Sequence, residues 1–274
     1  MPVRTTAIIA ARNEAAYIGR CCRHLAEQGI RFVLVDNESS DDTRAIAESF
    51  RHRGLLKVVT HPYPGYYDWT GILKMKEQIA RELDADWYLH LDADEIPEPP
   101  ERGESLVERL SRVDAAGFNA VNFDEFVFVP ESETDHHEGG DYVASMFTYY
   151  FHQPRTMRLV RAWRRHAAVD LATSGGHDAT FPGRVVCPDN FVLRHYIALS
   201  MQHLRRKYSS ERVYSAAELA RGWHRARSQL AGEPMHPPPR DALFDIRTDR
   251  GWNRSTPQPR HLFFPDLQAP SSEN

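Results

Sequence analysis

Residues 86–97, DWYLHLDADEIP, decide how the chain is read. DWYLHL has the length and apolar character of a buried strand, and it runs directly into Asp92-Ala93-Asp94-Glu95. The same figure recurs upstream. Residues 5–11 (TTAIIAA) read as a buried strand followed by Arg12-Asn13-Glu14, and residues 31–35 (RFVLV) as a second strand followed by Asp36-Asn37. LLKVVT at 55–60 is a third strand, which makes DWYLHL the fourth. Helical patterns fill the gaps: Asn13 to about Gly29, from the capping-rich turn 37–42 to about Arg53, and about Thr70 to Leu83. Alternating strands and helices with short links specify a parallel sheet with right-handed crossovers. Such sheets bind ligands at the carboxyl ends of their strands. Three of those ends carry polar clusters here, so topology and chemistry point to one place.

Beyond residue 100 the pattern changes. Glu104–Ala115 reads as a helix and 118–129 (FNAVNFDEFVFV) as a strand, followed by a polar loop over 130–144. Further strands are expected within 145–165 and at 191–195, then one long helix from about Ala198 to Arg225. The last forty residues are rich in Pro, Asp and Arg and are expected to lie on the body as an extended tail.

Composition narrows the function classes. The 274 residues are 41% hydrophobic and 26% charged, enough to bury the core of an α/β domain with an extra subdomain and too apolar for global disorder. A formal net charge of −4 without a basic block argues against nucleic acid as a partner. No run approaches the ~20 apolar residues of a membrane span. The opening residues lack a small-residue cleavage site, so no secretory leader is expected. Three cysteines, two of them adjacent (Cys21, Cys22), make no disulfide framework and fit a cytoplasmic location.

Two acidic positions carry chemistry on their own. Asp92 and Asp94, just past a strand end, can turn both carboxylates toward one hard cation such as Mg²⁺ or Mn²⁺. The alternative is a solvated turn that caps a helix. Asp36, at the end of the second strand, can accept a hydrogen bond from a base N–H or a ribose hydroxyl. Its alternative is a turn, with Ser40 or Asp41 capping the next helix. Asp135-His136-His137-Glu138 lacks metal-ligand spacing and reads as a mobile loop near an acceptor, not as a metal site.

Together, AIIAARNEAAYIGRCCRHL, FVLVDNESSDDT and KMKEQIARELDADWYLHLDADEI resemble glycosyltransferase family 2 on the GT-A fold. The resemblance covers roughly residues 5–98 and weakens toward about 225. It implies a Rossmann-like, mostly parallel α/β sheet flanked by helices, with a C-terminal acceptor-side extension. The expected organisation is a nucleotide-sugar-binding half at 1–100, an acceptor and catalytic half of the same domain at 101–230, and a tail at 231–274. The implied reaction transfers a sugar from a nucleotide donor, usually a UDP sugar, to a hydroxyl of a glycan, small-molecule or lipid-linked acceptor, usually with inversion.

Carried over by position, Ala10, Arg12 and Glu14 would border the nucleoside and Asp36 would bind uracil. Lys76, or Lys74, would lie near the diphosphate. Asp92 would face ribose and metal, and Asp94 would hold Mn²⁺ or Mg²⁺, with His195 completing the shell and His177 as its competitor. In Ser174-Gly175-Gly176-His177-Asp178, Asp178 stands where the family places its catalytic carboxylate, with Asp170 as second choice. The motif here is D-A-D-E-I where the family commonly has D-x-D-D, which suggests a subgroup and leaves the role of Glu95 open. Two other readings are a non-catalytic nucleotide-sugar or glycan-binding module and a sugar-phosphate nucleotidyltransferase. The latter needs a Gly-rich phosphate loop where this chain has AARNEAAYIG.

Overall fold

A computed structural model describes residues 2–101, 103–209, 213–221, 235–248 and 251–263. In chain order the elements are β1 (Thr5–Ala11), α1 (Ala15–Glu27), β2 (Arg31–Asp36), α2 (Thr43–Glu48), β3 (Leu55–Thr60), α3 (Trp69–Glu82), β4 (Trp87–Asp92) and β5 (Glu95–Glu98). Then come α4 (Leu106–Ala115), β6 (Ala120–Phe128), α5 (Tyr142–Ser145), β7 (Thr148–His152), β8 (Val160–Arg164) and β9 (Phe191–Tyr196). The last are α6 (Met201–Ser209), α7 (Ala216–Ala220) and β10 (Phe244–Asp245).

The chain divides into two compact units. One comprises Met1–Pro64, Asp68–Phe126 and Arg155–His195; the other takes Gly65–Tyr67, Val127–Pro154 and the chain from Tyr196 onward. The division differs from cuts at 100 and 231. β8 pairs with β4, and β9 pairs with β5, so the later chain returns to strands of the first hundred residues.

In the first unit the strands run in the order β6-β8-β4-β1-β2-β3. β4, β1, β2 and β3 are parallel, as their apolar runs and intervening helices require. β8 is antiparallel to both β4 and β6. This is the mostly parallel, helix-flanked α/β sheet expected of the GT-A type. Every residue of β1 is buried, and α1 turns Tyr17, Ile18, Cys21, Cys22 and Leu25 inward. β5, EIPE, is a short strand that the sequence reading passed over. Its Pro97 lies opposite Leu193 of β9.

In the second unit β7 and β10 pair antiparallel, and Tyr150, Met201, Leu204, Tyr208 and Phe263 build a core. The loop expected to be mobile is pinned. His137 N donates to Leu199 O (2.8 Å), Ser200 Oγ donates to Glu138 Oε1 (2.9 Å), and Asp141 caps α5 through Val143 N. The single long helix is also not what forms. α6 ends at Ser209, Tyr214 bridges to Tyr67, and Ser215 starts α7 by accepting from Glu218 N. A serine with N-cap geometry opens a new helix here. Residues 222–225 of the expected helix lie outside the described residues.

His24 provides a test of the core. Its Nε2 hydrogen-bonds Pro97 O (2.6 Å), and burial pushes its pKa down from 6.5 to about 4 despite that carbonyl. Between those values the unfolded chain binds a proton that the folded chain refuses. The contribution of His24 to stability is therefore complete above about pH 6.5 and is lost as pH falls toward 4, by on the order of 3 kcal/mol. Chemical denaturation at pH 7 and pH 4 is expected to show a smaller acid loss for His24→Gln than for the unsubstituted chain. Equal losses contradict the assignment.

Candidate active site

β1 lies between β2 and β4, with Ala11 paired to Asp36 and Ala10 to Asp92. Neighbouring strands sit ~4.8 Å apart, so the two acidic positions flank the end of β1 at roughly 10 Å. The chain leaves β1 and β2 through Asn13 (φ 54°) and Glu38 (φ 51°), two non-glycine residues in the left-handed region. Such strain persists only where the surroundings over-determine it, and here they do. Asn13 Oδ1 accepts from Ser40 N (2.8 Å), and Asn13 N donates to Ser39 Oγ (3.1 Å). Arg12 Nη1 donates to Asn37 O (2.5 Å) and Glu38 O (2.6 Å), with its guanidinium 3.6 Å from the Tyr63 ring centre. Asp36 is buried and accepts from Ser39 N (3.2 Å). Glu14 is the N-cap residue of α1, and its carbonyl accepts from Tyr17 N and Ile18 N (2.9 Å each).

Past β4 the D-A-D-E turn carries a network of buried charge. Asp94 Oδ2 lies 3.6 Å from His195 Nε2, and His195 Nδ1 lies 2.6 Å from Glu125 Oε1. The other oxygen of Glu125 takes Arg158. Burial alone would lower the His195 pKa. Asp94 and Glu125 outweigh it and hold the imidazole well above its ordinary value, as a cation. Glu95 is 1% exposed; its Oε1 accepts from Arg161 Nη1 (2.5 Å) and its Oε2 from Asp92 N (2.9 Å). Burial pushes its carboxyl up, and Arg161 opposes that.

The donor set bears on a metal. Among the described residues no three His, Cys, Asp or Glu side chains are gathered around one point where a metal ion could sit. Asp92 and Asp94 have the oxygen chemistry that Mn²⁺ and Mg²⁺ require and stand next to each other on one turn. His195 is committed to two carboxylates and fits as a ligand only on giving up its proton. His177 is the neutral imidazole: burial, with Arg158 and Arg161 near it, pushes its pKa down to about 3.

Lys76 is turned into the core of the sheet and not toward solvent. Its side chain is fully buried, and Nζ bonds Leu91 O (2.8 Å) and His90 Nδ1 (2.9 Å), with Asp92 Oδ1 at 3.9 Å. Helical spacing puts it on the inward face of α3 with Ile72, Leu73, Ile79 and Ala80, whereas Lys74 is exposed. Burial pushes its pKa down to about 8 against the pull of Asp92.

The segment 170–178 is fixed to α3. Glu77 Oε1 accepts from Leu171 N (2.8 Å) and Ala172 N (3.0 Å), and Trp69 Nε1 donates to Gly175 O (2.8 Å). Asp178 bridges to Val160, the residue before Arg161, and its carboxylate accepts from Arg184. Asp170 is spent within its own turn, on Thr173 N (2.8 Å) and Thr173 Oγ1 (2.7 Å). Sequence reading missed Glu125, Arg158, Arg161 and His90. The signal for Glu125 and Arg161 was available: each is a charge inside a run that otherwise reads as a buried strand, and such a charge needs a partner.

Residues 6–166 match the model of the family described as glycosyl transferase family 2. The chain belongs to glycosyltransferase family 2. Among curated relatives it is similar to an uncharacterized glycosyltransferase of Rickettsia felis, 36% identical over 92 residues, which are 34% of this chain and 29% of that protein. It is also similar to the lipopolysaccharide core biosynthesis glycosyltransferase LpsC of Rhizobium meliloti, 31% identical over 91 residues, 33% and 31% of the two chains. The match thus spans about a third or less of the length of these relatives. Of solved structures, S. aureus TarS residues 1–349 in complex with UDP aligns with a TM-score of 0.45 at 16% identity, covering 71% of this chain and 61% of that one. Glucosyl-3-phosphoglycerate synthase of Mycobacterium tuberculosis in complex with Mn²⁺, UDP and glucosyl-3-phosphoglycerate aligns at 0.31 and 17%, covering 46% and 44%.

In this family 2 chain the approach of the 174–178 loop to β4 depends on Gly176. Its φ is +83°, and a Cβ there would stand 2.9 Å from His90 Nε2 and 3.1 Å from Trp69 Cζ2. The left-handed conformation alone costs an L-residue roughly 1–2 kcal/mol, and the contact adds to it. Gly176→Ala is expected to lower the stability measured by chemical denaturation by at least that amount. An unchanged midpoint would show that the loop is not held against His90.

Proposed function

We propose that this family 2 chain is a metal-dependent glycosyltransferase that moves a sugar from a UDP-sugar to an acceptor hydroxyl by single displacement with inversion. The observation that carries the reading is the pairing of Asp36 and Asp92 with the last two residues of β1, one on each side. In this reading Asp36 accepts from the uracil ring. Ala10, whose side chain is only a methyl group, borders the nucleoside together with Arg12 and Glu14. Asp92 faces the ribose and Asp94 is the principal metal ligand. Mn²⁺ or Mg²⁺ held there would offset the charge that grows on the departing diphosphate. His195 holds Asp94 in place, and Lys76 supports Asp92 from beneath the strand.

Asp178 takes the proton from the acceptor hydroxyl, and Arg184 orients its carboxylate for that role; Asp170 is the second choice. The names of the curated relatives support glycosyl transfer as the reaction. Among the described residues no helix is long and apolar enough to cross a membrane. The cysteine usage supports a cytoplasmic location.

Asp94→Ala is expected to abolish transfer while the chain still folds, at a lower melting temperature because buried His195 loses one of its two carboxylate partners. Transfer that survives both this substitution and EDTA contradicts the metal role. Asp36→Ala is expected to weaken UDP binding about 10-fold, the worth of one hydrogen bond to a charged group, as read by calorimetry. Asp178→Asn is expected to lower turnover by ~10²-fold or more with donor affinity retained. An unchanged kcat removes Asp178 from the base role.

A further inference from the structure

We propose that Glu95 is a positioning residue whose buried carboxylate clasps the D-A-D-E turn from inside, holding Asp92 and Asp94 toward the donor while taking no part in ligation itself. The inference rests on the functional reading above and assigns the motif position at which this chain departs from D-x-D-D.

Three observations carry it. Glu95 is 1% exposed, whereas the Asp92 side chain three residues before it is about one-third exposed (34%), so the two carboxylates face different surroundings. One oxygen of Glu95, Oε2, accepts the backbone N–H of Asp92 at 2.9 Å, which closes the turn on itself across Ala93 and Asp94. Both oxygens also take Nη1 of Arg161, itself 7% exposed, from β8. β8 is the antiparallel neighbour of β4. The turn is therefore tied to the strand beside the one it leaves. Glu95 also opens β5, where it lies opposite His195, the residue that contacts Asp94. One carboxylate thus fixes the backbone of Asp92, and the β5–β9 pairing that begins at Glu95 brings His195 beside Asp94. An aspartate at this position would be one methylene shorter and could not span from β5 to both the Asp92 amide and Arg161 without moving the strand.

Partners outside the ligand shell that orient ligands are typically worth ~10–100-fold in metal affinity. The test compares two double variants in the full chain, Glu95→Gln with Arg161→Met, and Glu95→Met with Arg161→Met. Both remove the buried ion pair together, which leaves no uncompensated charge. Their side chains at 95 are of similar length, and only glutamine keeps an oxygen for the Asp92 amide. The readouts are Mn²⁺ affinity from the electron paramagnetic resonance of free Mn²⁺, and UDP affinity from calorimetry with Mn²⁺ present. The glutamine form is expected to bind Mn²⁺–UDP within ~3-fold of the parent, and the methionine form ~10-fold or more weaker, at similar melting temperatures. Equal affinity in the two forms overturns the clasp while leaving the functional reading intact. Failure of the parent chain to bind Mn²⁺–UDP overturns the functional reading, and the clasp with it. Should the methionine form not fold, hydrogen exchange at the Asp92 amide of the parent decides. Protection matching the interior of β4 supports the clasp, and exchange at the rate of an open loop overturns it.

Discussion

Strand β1 is hydrogen-bonded on both edges, and its last two residues are alanines. That double pairing sets the geometry of the site. Side chains alternate along a strand, so Asp36, in register with Ala11, and Asp92, in register with Ala10, leave their strands on opposite faces, and both can border one ligand only beyond the strand ends. The register cannot slip cheaply, because all seven residues of β1 are buried and their packing against α3 depends on it. The apolar core of the sheet therefore decides where two carboxylates emerge.

Around this frame the structure arranges charge in two different ways. At the tip of β2, polar groups are bound mainly by backbone: Asp36 by Ser39 N, Asn13 by Ser40 N, and the carbonyls of Asn37 and Glu38 by Arg12. Past β4, the polar groups are bound by one another, in the series Asp94–His195–Glu125–Arg158 and the pair Glu95–Arg161. Buried ion pairs contribute little to stability relative to apolar packing, because desolvation consumes most of their attraction. Their value here lies in orientation. Each charge in the series has its direction set by the next, and the series ends on the D-A-D-E turn.

The parts of this arrangement that could be read in sequence are the local ones. A buried parallel strand is an unbroken apolar run, so TTAIIAA, RFVLV, LLKVVT and DWYLHL declare themselves, and with them the placement of Asp36, Asp92 and Asp94 at strand ends. The pairings of Glu95 with Arg161 and of His195 with Glu125 join residues 66 and 70 positions apart, and no spacing rule encodes them. Lys76 was legible as a basic residue but not as a buried one, although the same helical period that makes Ile72 and Ile79 face inward carries it inside. β5 escaped because EIPE contains a proline and is only four residues long; its existence depends on β9, nearly a hundred residues later. The loop 130–144 looked mobile because its anchors, Leu199 and Ser200, are supplied by a distant segment.

The claim on which the functional account depends is that the tips of β2 and β4 border one nucleotide site at the end of β1. The most direct measurement is a crystal structure of the chain with UDP and Mn²⁺. The account predicts uracil within hydrogen-bonding distance of Asp36, the diphosphate beyond the end of β1, and the metal on Asp94. A nucleotide bound elsewhere on the molecule, with Asp36 and Asp94 untouched, would contradict it.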